Sequence, residues 1–223
     1  MTERLPLFPL GLVLVPGLVL PLHVFEERYR VLVRDLLALP AQERRFGVVA
    51  IRSGREVGED GVRALHEVGC TALLRRAESY DDGRFDVVSV GGERFRLSEV
   101  QHDRPYLTGT VELLGDDVGP AEEAAVLGAA VGAAYVDHLR ALAAAAGEPA
   151  APPELPDDVR TLSYLVAATV RVDLEDRQAL LAEPDATARL RAELALLRRE
   201  ARLMRTLSAV PAPELTRVPL NPN

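Results

Sequence analysis

Residues 5–25, LPLFPLGLVLVPGLVLPLHVF, decide how this chain is read. The run is uncharged, follows Arg4 and has membrane-spanning length, so a signal peptide or transmembrane helix is the first reading to test. It fails on its prolines. Pro6, Pro9, Pro16 and Pro21 each lack a backbone donor, and each disfavours a helix by roughly 3 kcal/mol. No small-residue cleavage site closes the run, and the charged Glu26-Glu27-Arg28 follows at once. The segment instead divides at Val15-Pro16-Gly17, where proline presets φ at the second position of a turn and glycine supplies the positive φ of the third. The expectation is strand, turn, strand, in a soluble, cytoplasmic chain with no membrane segment.

Outward from this run the period changes. Phe25, Tyr29, Leu32, Leu36 and Leu39 form one apolar stripe at helical spacing, with Glu27, Arg28, Arg30 and Arg34 mostly off it, which predicts a single amphipathic helix. Phe46 to Ile51 returns to strand composition, and Ser53 to Gly61 reads as a polar loop. A long strand is expected over Val62 to Ser79. Asp82-Gly83 then signals a hairpin into Phe85 to Val90, and Phe95 to Val100 and Tyr106 to Leu114 complete about six or seven strands. The expected product is an α+β fold: a compact, partly closed antiparallel β-barrel with one inserted helix, followed by a helical bundle.

The texture turns helical after Gly115. Ala121 to Ala146 reads as one long alanine-rich helix with a close-packing face. Gly147 to Pro156 is a proline-rich connector. Asp157 or Asp158 caps a helix over Val159 to Val172, and Asp173 caps the next, Leu174 to Glu183. A last helix starts near Asp185, with a seam of Leu190, Leu194, Leu197, Ala201 and Met204 spaced as in a coiled coil. The expected organisation is a barrel over 1–115, a bundle over 116–208 and an extended or disordered tail over 209–223.

Composition then excludes chemistry. The chain has 223 residues, 48% of them hydrophobic and 27% charged, enough to bury a core. All 26 of its basic Lys or Arg side chains are arginine. Without lysine there is no Schiff-base enzyme, no Ser-Lys dyad and no phosphate-binding P-loop within this sequence. One cysteine, Cys70, provides neither an internal disulfide nor a multi-thiolate metal site. The net charge of -8 argues against a nucleic-acid binder, and neither half is basic: -2 over 1–115 and -6 over 116–223.

The remaining candidates are thin. His66 and Cys70 would share one face of a strand and offer two metal ligands, but a third is missing, so packing is the better reading. His23, His102 and His138 stand apart in sequence and read as hydrogen-bonded structural residues. None of the serines lies in a nucleophile elbow, and the pairs Asp81-Asp82, Asp116-Asp117 and Asp157-Asp158 fit turns and helix starts. Arg189, Arg191, Arg198, Arg199, Arg202 and Arg205 crowd the last helix. An anionic partner would explain them, but solvation and the C-terminal helix dipole explain them better. No catalytic residue, cofactor site or metal site is expected.

Several segments taken together resemble the N-terminal substrate-binding domain of Lon proteases. They are Leu5-Pro6-Leu7-Phe8-Pro9-Leu10, Val15-Pro16-Gly17 and Leu20-Pro21-Leu22-His23-Val24-Phe25-Glu26-Glu27-Arg28-Tyr29. Phe46-Gly47-Val48-Val49, Val68-Gly69-Cys70-Thr71-Ala72, Asp82-Gly83-Arg84-Phe85, Gly92-Glu93-Arg94-Phe95-Arg96 and Pro105-Tyr106-Leu107 follow in the family's order. Asp173 to Leu181 and Arg189 to Glu200 resemble its helices, so the likeness runs from about Leu5 to Arg205.

The resemblance implies a PUA-like barrel, a helical bundle and polypeptide recognition, with the ATPase and Ser-Lys protease modules of a full Lon protease absent. The expectation is a stand-alone, non-catalytic protein that binds unfolded or misfolded polypeptides, with a protease or chaperone as a further partner. A PUA-like RNA-binding module is the alternative. The residues expected to meet a client surround the turn and the helix start: Pro16, Gly17, Phe25, Glu27, Arg28 and Tyr29.

Overall fold

Apolar alternation in the N-terminal half resolves into seven strands and one α-helix. They are β1 (Thr2–Leu10), β2 (Val19–Val24), α1 (Glu27–Leu37), β3 (Arg45–Gly54), β4 (Val62–Leu65), β5 (Val68–Ser79), β6 (Phe85–Gln101) and β7 (Thr108–Leu113). The computed structural model describes residues 2–54, 62–147 and 153–209, so most of the polar loop before β4, part of the proline-rich connector and the tail from Val210 lie outside the described residues. Hydrogen-bonded neighbours run β1-β7-β6-β5-β3-β4. A parallel pairing of β1 with β3, Leu7 opposite Gly47 through Leu10 opposite Ala50, brings β1-β7-β6-β5-β3 into a partly closed ring with β4 beyond it. The other strand pairings are antiparallel. Among the described strands, β2 pairs with the first part of β6 alone.

Two strand expectations are corrected. The run from Val62 to Ser79 breaks at His66-Glu67, where the His66 N–H turns to donate to Ala50 O at 3.0 Å, leaving β4 and β5 as separate strands. The runs Phe85–Val90 and Phe95–Val100 are instead one strand of 17 residues. Gly91-Gly92 carries β6 past a register irregularity against β5, so the strand changes its second neighbour from β2 to β7 without turning back.

Helix α1 buries Tyr29, Leu32, Val33 and Leu36 against the ring, with Tyr29 stacked on Phe8 at 4.0 Å between centroids. The ends of the predicted stripe behave differently: Phe25 is 51% exposed and Leu39 40% exposed, because the helix stops short of both. Arg30 ties α1 to the β5–β6 hairpin, donating from Nε to Gly83 O at 2.7 Å and from Nη2 to Asp82 O at 3.0 Å. Gly83 has φ +80°, a conformation that favours glycine, and a Cβ there would also displace this guanidinium.

The second half forms α2 (Ala121–Ala146), α3 (Val159–Thr169), α4 (Leu174–Ala182) and α5 (Ala186–Ala209). Asp158 rather than Asp157 caps α3, accepting from Thr161 N at 2.9 Å, and Asp173 caps α4 from Asp176 N at 2.8 Å. Asp185 does the same for α5, accepting from Ala188 N at 2.8 Å. The predicted end of α3 at Val172 moves back to Thr169, since Val170 is already extended and its carbonyl is taken by Arg177. The seam of α5 buries Leu190 and Leu197, with Leu194, Ala201 and Met204 only partly covered. Sheet and helices share a core: Val13, Val15, Ala50 and Val68 pack in one cluster with Val131, Leu162, Val166 and Leu190.

Two buried arginines lie behind this junction. Arg94 on β6 is 2% exposed and donates to four carbonyls: Leu181 O at 3.0 Å, Gly115 O at 2.9 Å, Pro184 O at 3.1 Å, and Glu183 O. Arg189 overturns the expectation of a solvated arginine face. Its guanidinium lies 3.8 Å over the Tyr164 ring, Nε donates to Ser163 Oγ at 2.9 Å, and the side chain is fully buried. Register explains this, because Arg189 precedes Leu190 at the inward edge of the seam. Arg191 pairs with Glu123 at 2.5 Å and Arg199 pairs with Asp176, while Arg198, Arg202 and Arg205 lie on the exposed side.

Replacing Arg94 by Met strands several buried carbonyls and should cost roughly 3 kcal/mol or more, read as a fall in the denaturant midpoint. Glu193, one turn after Arg189, is buried with neither carboxyl oxygen hydrogen-bonded, and burial pushes its pKa up to about 9. The folded state therefore holds a proton that the unfolded chain releases near its ordinary 4.5, so stability should decline as pH rises from about 4.5 to about 9 and level off above. Glu193→Gln should flatten that decline in denaturation curves measured across the same range.

Candidate functional site

The site is built on β2, and its geometry is set by the turn before it. Leu18 N donates to Val15 O at 3.2 Å, with Gly17 at φ +79°, closing the turn that the Pro-Gly pair predicts. Gly17 N donates to Gly91 O at 2.9 Å while Gly91 N donates to Leu18 O at 2.9 Å. Two residues thus oppose one, a glycine bulge that fixes the phase of everything after it. Leu20 and Val24 point into the core, and Val19, Pro21, His23 and Phe25 point out.

The outward row is unusually apolar for an exposed strand. Val19 is 56% exposed, and behind it the partly buried Val90 and Val88 stand opposite Val19 and Pro21 on β6. At the far end Phe25 stacks 6.4 Å from His23, which meets the edge of Tyr80 at 6.1 Å. Asp86 organises this end, accepting from Tyr80 OH at 2.5 Å and contacting His23 Nδ1 at 2.6 Å. Those two hydrogen bonds, Tyr80 first, hold the Asp86 carboxyl below the usual range, and the bond to Asp86 pushes the Tyr80 hydroxyl up.

At the near end, the turn and α3 enclose a cleft of about 470 Å³, with Val15, Pro16, Leu18 and Leu165 as apolar wall. Its polar back is Tyr164, which donates to Asp116 at 2.7 Å and whose hydroxyl burial pushes up to about 12. A larger open groove of about 610 Å³ follows the small residues of α2 and contains none of the predicted site residues.

The six residues picked from sequence therefore separate. Pro16 and Gly17 line the cleft, and Phe25 stands exposed at the other end of β2. Glu27 is exposed but engaged, pairing with Arg30 at 2.9 Å and Arg34 at 3.1 Å. Arg28 is largely covered, 2.9 Å from Glu26 and 4.6 Å over the Tyr29 ring. Tyr29 itself is 5% exposed and belongs to the core. Val19, His23 and Tyr80 were missed, although the alternation of positions 19, 21, 23 and 25 carries the first two.

Elsewhere, Cys70 is fully buried, with Sγ 3.4 Å from Thr71 O, and burial pushes its thiol to about 12. His66 does not share its strand, but lies in the turn with Nε2 3.6 Å from Glu175. His138 is buried between helices, which lowers its pKa. Among the described residues no group of three or more His, Cys, Asp or Glu is placed to hold a metal, and no helix is long and apolar enough to cross a membrane.

This architecture, a partly closed sheet ring carrying a helical bundle, is that of Lon N-terminal domains. The Lon N-terminal domain protein from Xanthomonas campestris superposes with a TM-score of 0.62 at 25% identity, covering 86% of this chain and 98% of that one. The N-terminal domain of Mycobacterium avium complex Lon protease matches in fold with a TM-score of 0.63 at 14% identity, over 88% of this chain and 98% of that one. The pattern of the ATP-dependent protease La (LON) substrate-binding domain matches residues 4–199, and the chain belongs to that family. It is 30% identical over 213 residues to Lon protease 2 of Myxococcus xanthus and 29% identical over 210 residues to Lon protease of Anaeromyxobacter dehalogenans. These alignments cover 91% and 90% of this chain but 24% of each relative, so the chain spans about a quarter of their length.

The Cys70 environment gives a direct check on the core: the thiol should resist iodoacetamide in the native protein and react at the rate of a free cysteine once denaturant unfolds the ring. Native labelling at the unfolded rate would contradict the burial.

Proposed function

We propose that this chain is a non-catalytic polypeptide-binding protein, acting in the cytoplasm on unfolded or misfolded chains as a recognition or adaptor subunit. A protease or chaperone that accepts the client is the implied second partner. The observation that carries the reading is the outward row of β2, with Val19 and Phe25 each more than half exposed and a cleft and an aromatic cluster at its ends. Exposed apolar side chains in such a row, here interrupted by the polar His23–Asp86 contact, offer a recognition surface for apolar segments that folded proteins hide. Membership of the substrate-binding family supports the same reading.

Two subunits of function fit the chain's layout: residues 1–115 present the strand, and residues 116–208 back it with α3 and close the cleft. Of the residues picked from sequence, Pro16, Gly17 and Phe25 would touch a client. Glu27, Arg28 and Tyr29 would hold the helix start beneath it. Hydrolysis is not part of the proposal, since a chain without lysine supplies neither a Ser-Lys dyad nor a P-loop. The outward row of β2 itself carries no arginine, and Arg84 beside its far end is already paired with Asp82, so RNA has little to neutralise there.

Fluorescence anisotropy with a labelled, reduced and alkylated reporter protein tests the site. Phe25→Ala and Val19→Asp should each weaken binding by about fivefold or more, as loss of a central apolar contact does, with little change in melting temperature. The reporter should stay intact with or without ATP. Undiminished binding by both variants, or steady cleavage by pure protein, would overturn the proposal.

A further inference from the structure

We infer that the open edge of β2 takes an extended client segment as an added strand, so that recognition is made in large part through the client's main chain. This deepens the reading above and rests on it. Among the described residues, β2 is hydrogen-bonded as a strand on one side only, to β6. The bulge at Gly17 fixes which main-chain groups are left. Because Leu18 already pairs with Gly91, the two-residue period aims the N–H and C=O groups of Leu20, Leu22 and Val24 at β6. The C=O groups of Val19, Pro21 and His23 and the N–H groups of Val19 and His23 face the open side. A further extended chain satisfies such a row without any particular sequence, as strand addition requires.

Pro21 fits this geometry. A proline at positions 20, 22 or 24 would remove a ladder bond, whereas at 21 it removes one only from the open edge. That choice also decides the occupant. A second copy pairing antiparallel through its own β2 would place Pro21 against Pro21 and lose two N–H donors at the centre. A client with an ordinary residue there loses one. The edge is thus blunted against its own copies and still offers Val19 and His23 as full partners. Residues of the added strand that face Val19, Pro21 and His23 would lay their side chains on the apolar outer surface, continuing Val88 and Val90. One end of the strand would point to the cleft beside Pro16 and the other to Phe25 and Tyr80.

The probe is a labelled octapeptide of alternating valine and threonine with lysines at both ends. Its valines are driven to the outer apolar face, and in that phase the valine N–H groups point at β2. N-methylation of the valines should weaken binding at least tenfold, while N-methylation of the threonines should change it less than twofold. Amide exchange at Val19 and His23 should slow on saturation with the peptide, with Leu20 and Leu22, already bonded to β6, changing less. Pro21→Val supplies the missing donor and should tighten binding about fivefold. Equal effects of the two methylation patterns, or no protection at Val19 and His23, would overturn strand addition while leaving polypeptide binding standing if the unfolded reporter still binds. Loss of both peptide and reporter binding in the unaltered protein would overturn both.

Discussion

The fold depends on one guanidinium. Arg94 leaves the middle of the longest strand and enters a space where four backbone carbonyls converge, from Gly115 at the sheet-to-helix link and from Leu181, Glu183 and Pro184 at the link between α4 and α5. Each of those carbonyls lies in a link or at a helix end, outside the sheet ladder. A buried polar group without a partner costs about as much as a good hydrogen bond contributes, so the four are a liability that one planar donor array removes together. The consequence is geometric. The helical unit cannot slide over the ring without giving up several bonds at once.

From that clamp the chain of constraint runs outward to the site. Arg94 fixes the start of α5, and α5 carries Arg189 inward to Ser163 and the Tyr164 ring on α3. Tyr164 in turn holds Asp116, and with Leu165 it forms the wall that faces Pro16 and Leu18 across the cleft. On the other side the glycine bulge at Gly17 sets the phase of β2. Cleft and strand are therefore positioned from opposite directions by buried polar contacts, while the surface they present is apolar and open.

How much of this can be read from sequence differs by element, for physical reasons. Helix α2 is legible over its whole length because alanine propensity is local, and Asp157 or Asp158, Asp173 and the start near Asp185 announce the later helices, with the structure choosing Asp158 and giving Asp185 its cap. The Pro16-Gly17 turn was legible for the same reason. The single bent β6 was not, because Gly91-Gly92 reads as a turn unless the strands on either side are known. Phe25 illustrates the limit most clearly. It has helical spacing to Tyr29, yet it belongs in phase with Val19, Pro21 and His23 on a strand, and only the observed start of α1 at Glu27 decides between the two periods. Tyr80 reaches this end through His23 and Asp86, on a hairpin far along the chain, which no local pattern encodes.

The absence of lysine gains a structural meaning here. Read as composition, it removes enzyme classes; in the structure, arginine is the side chain that several of the key contacts require. Arg94 reaches four carbonyls from its two terminal nitrogens, Arg30 grips two carbonyls of the hairpin, and Arg189 lies over a ring while its Nε bonds a hydroxyl. A lysine ammonium has the charge for each role but neither the planar array nor the weak hydration that lets a cation sit in a core. At these three positions arginine is part of the fold's geometry, and the charge it carries is incidental to the carbonyls and ring it organises.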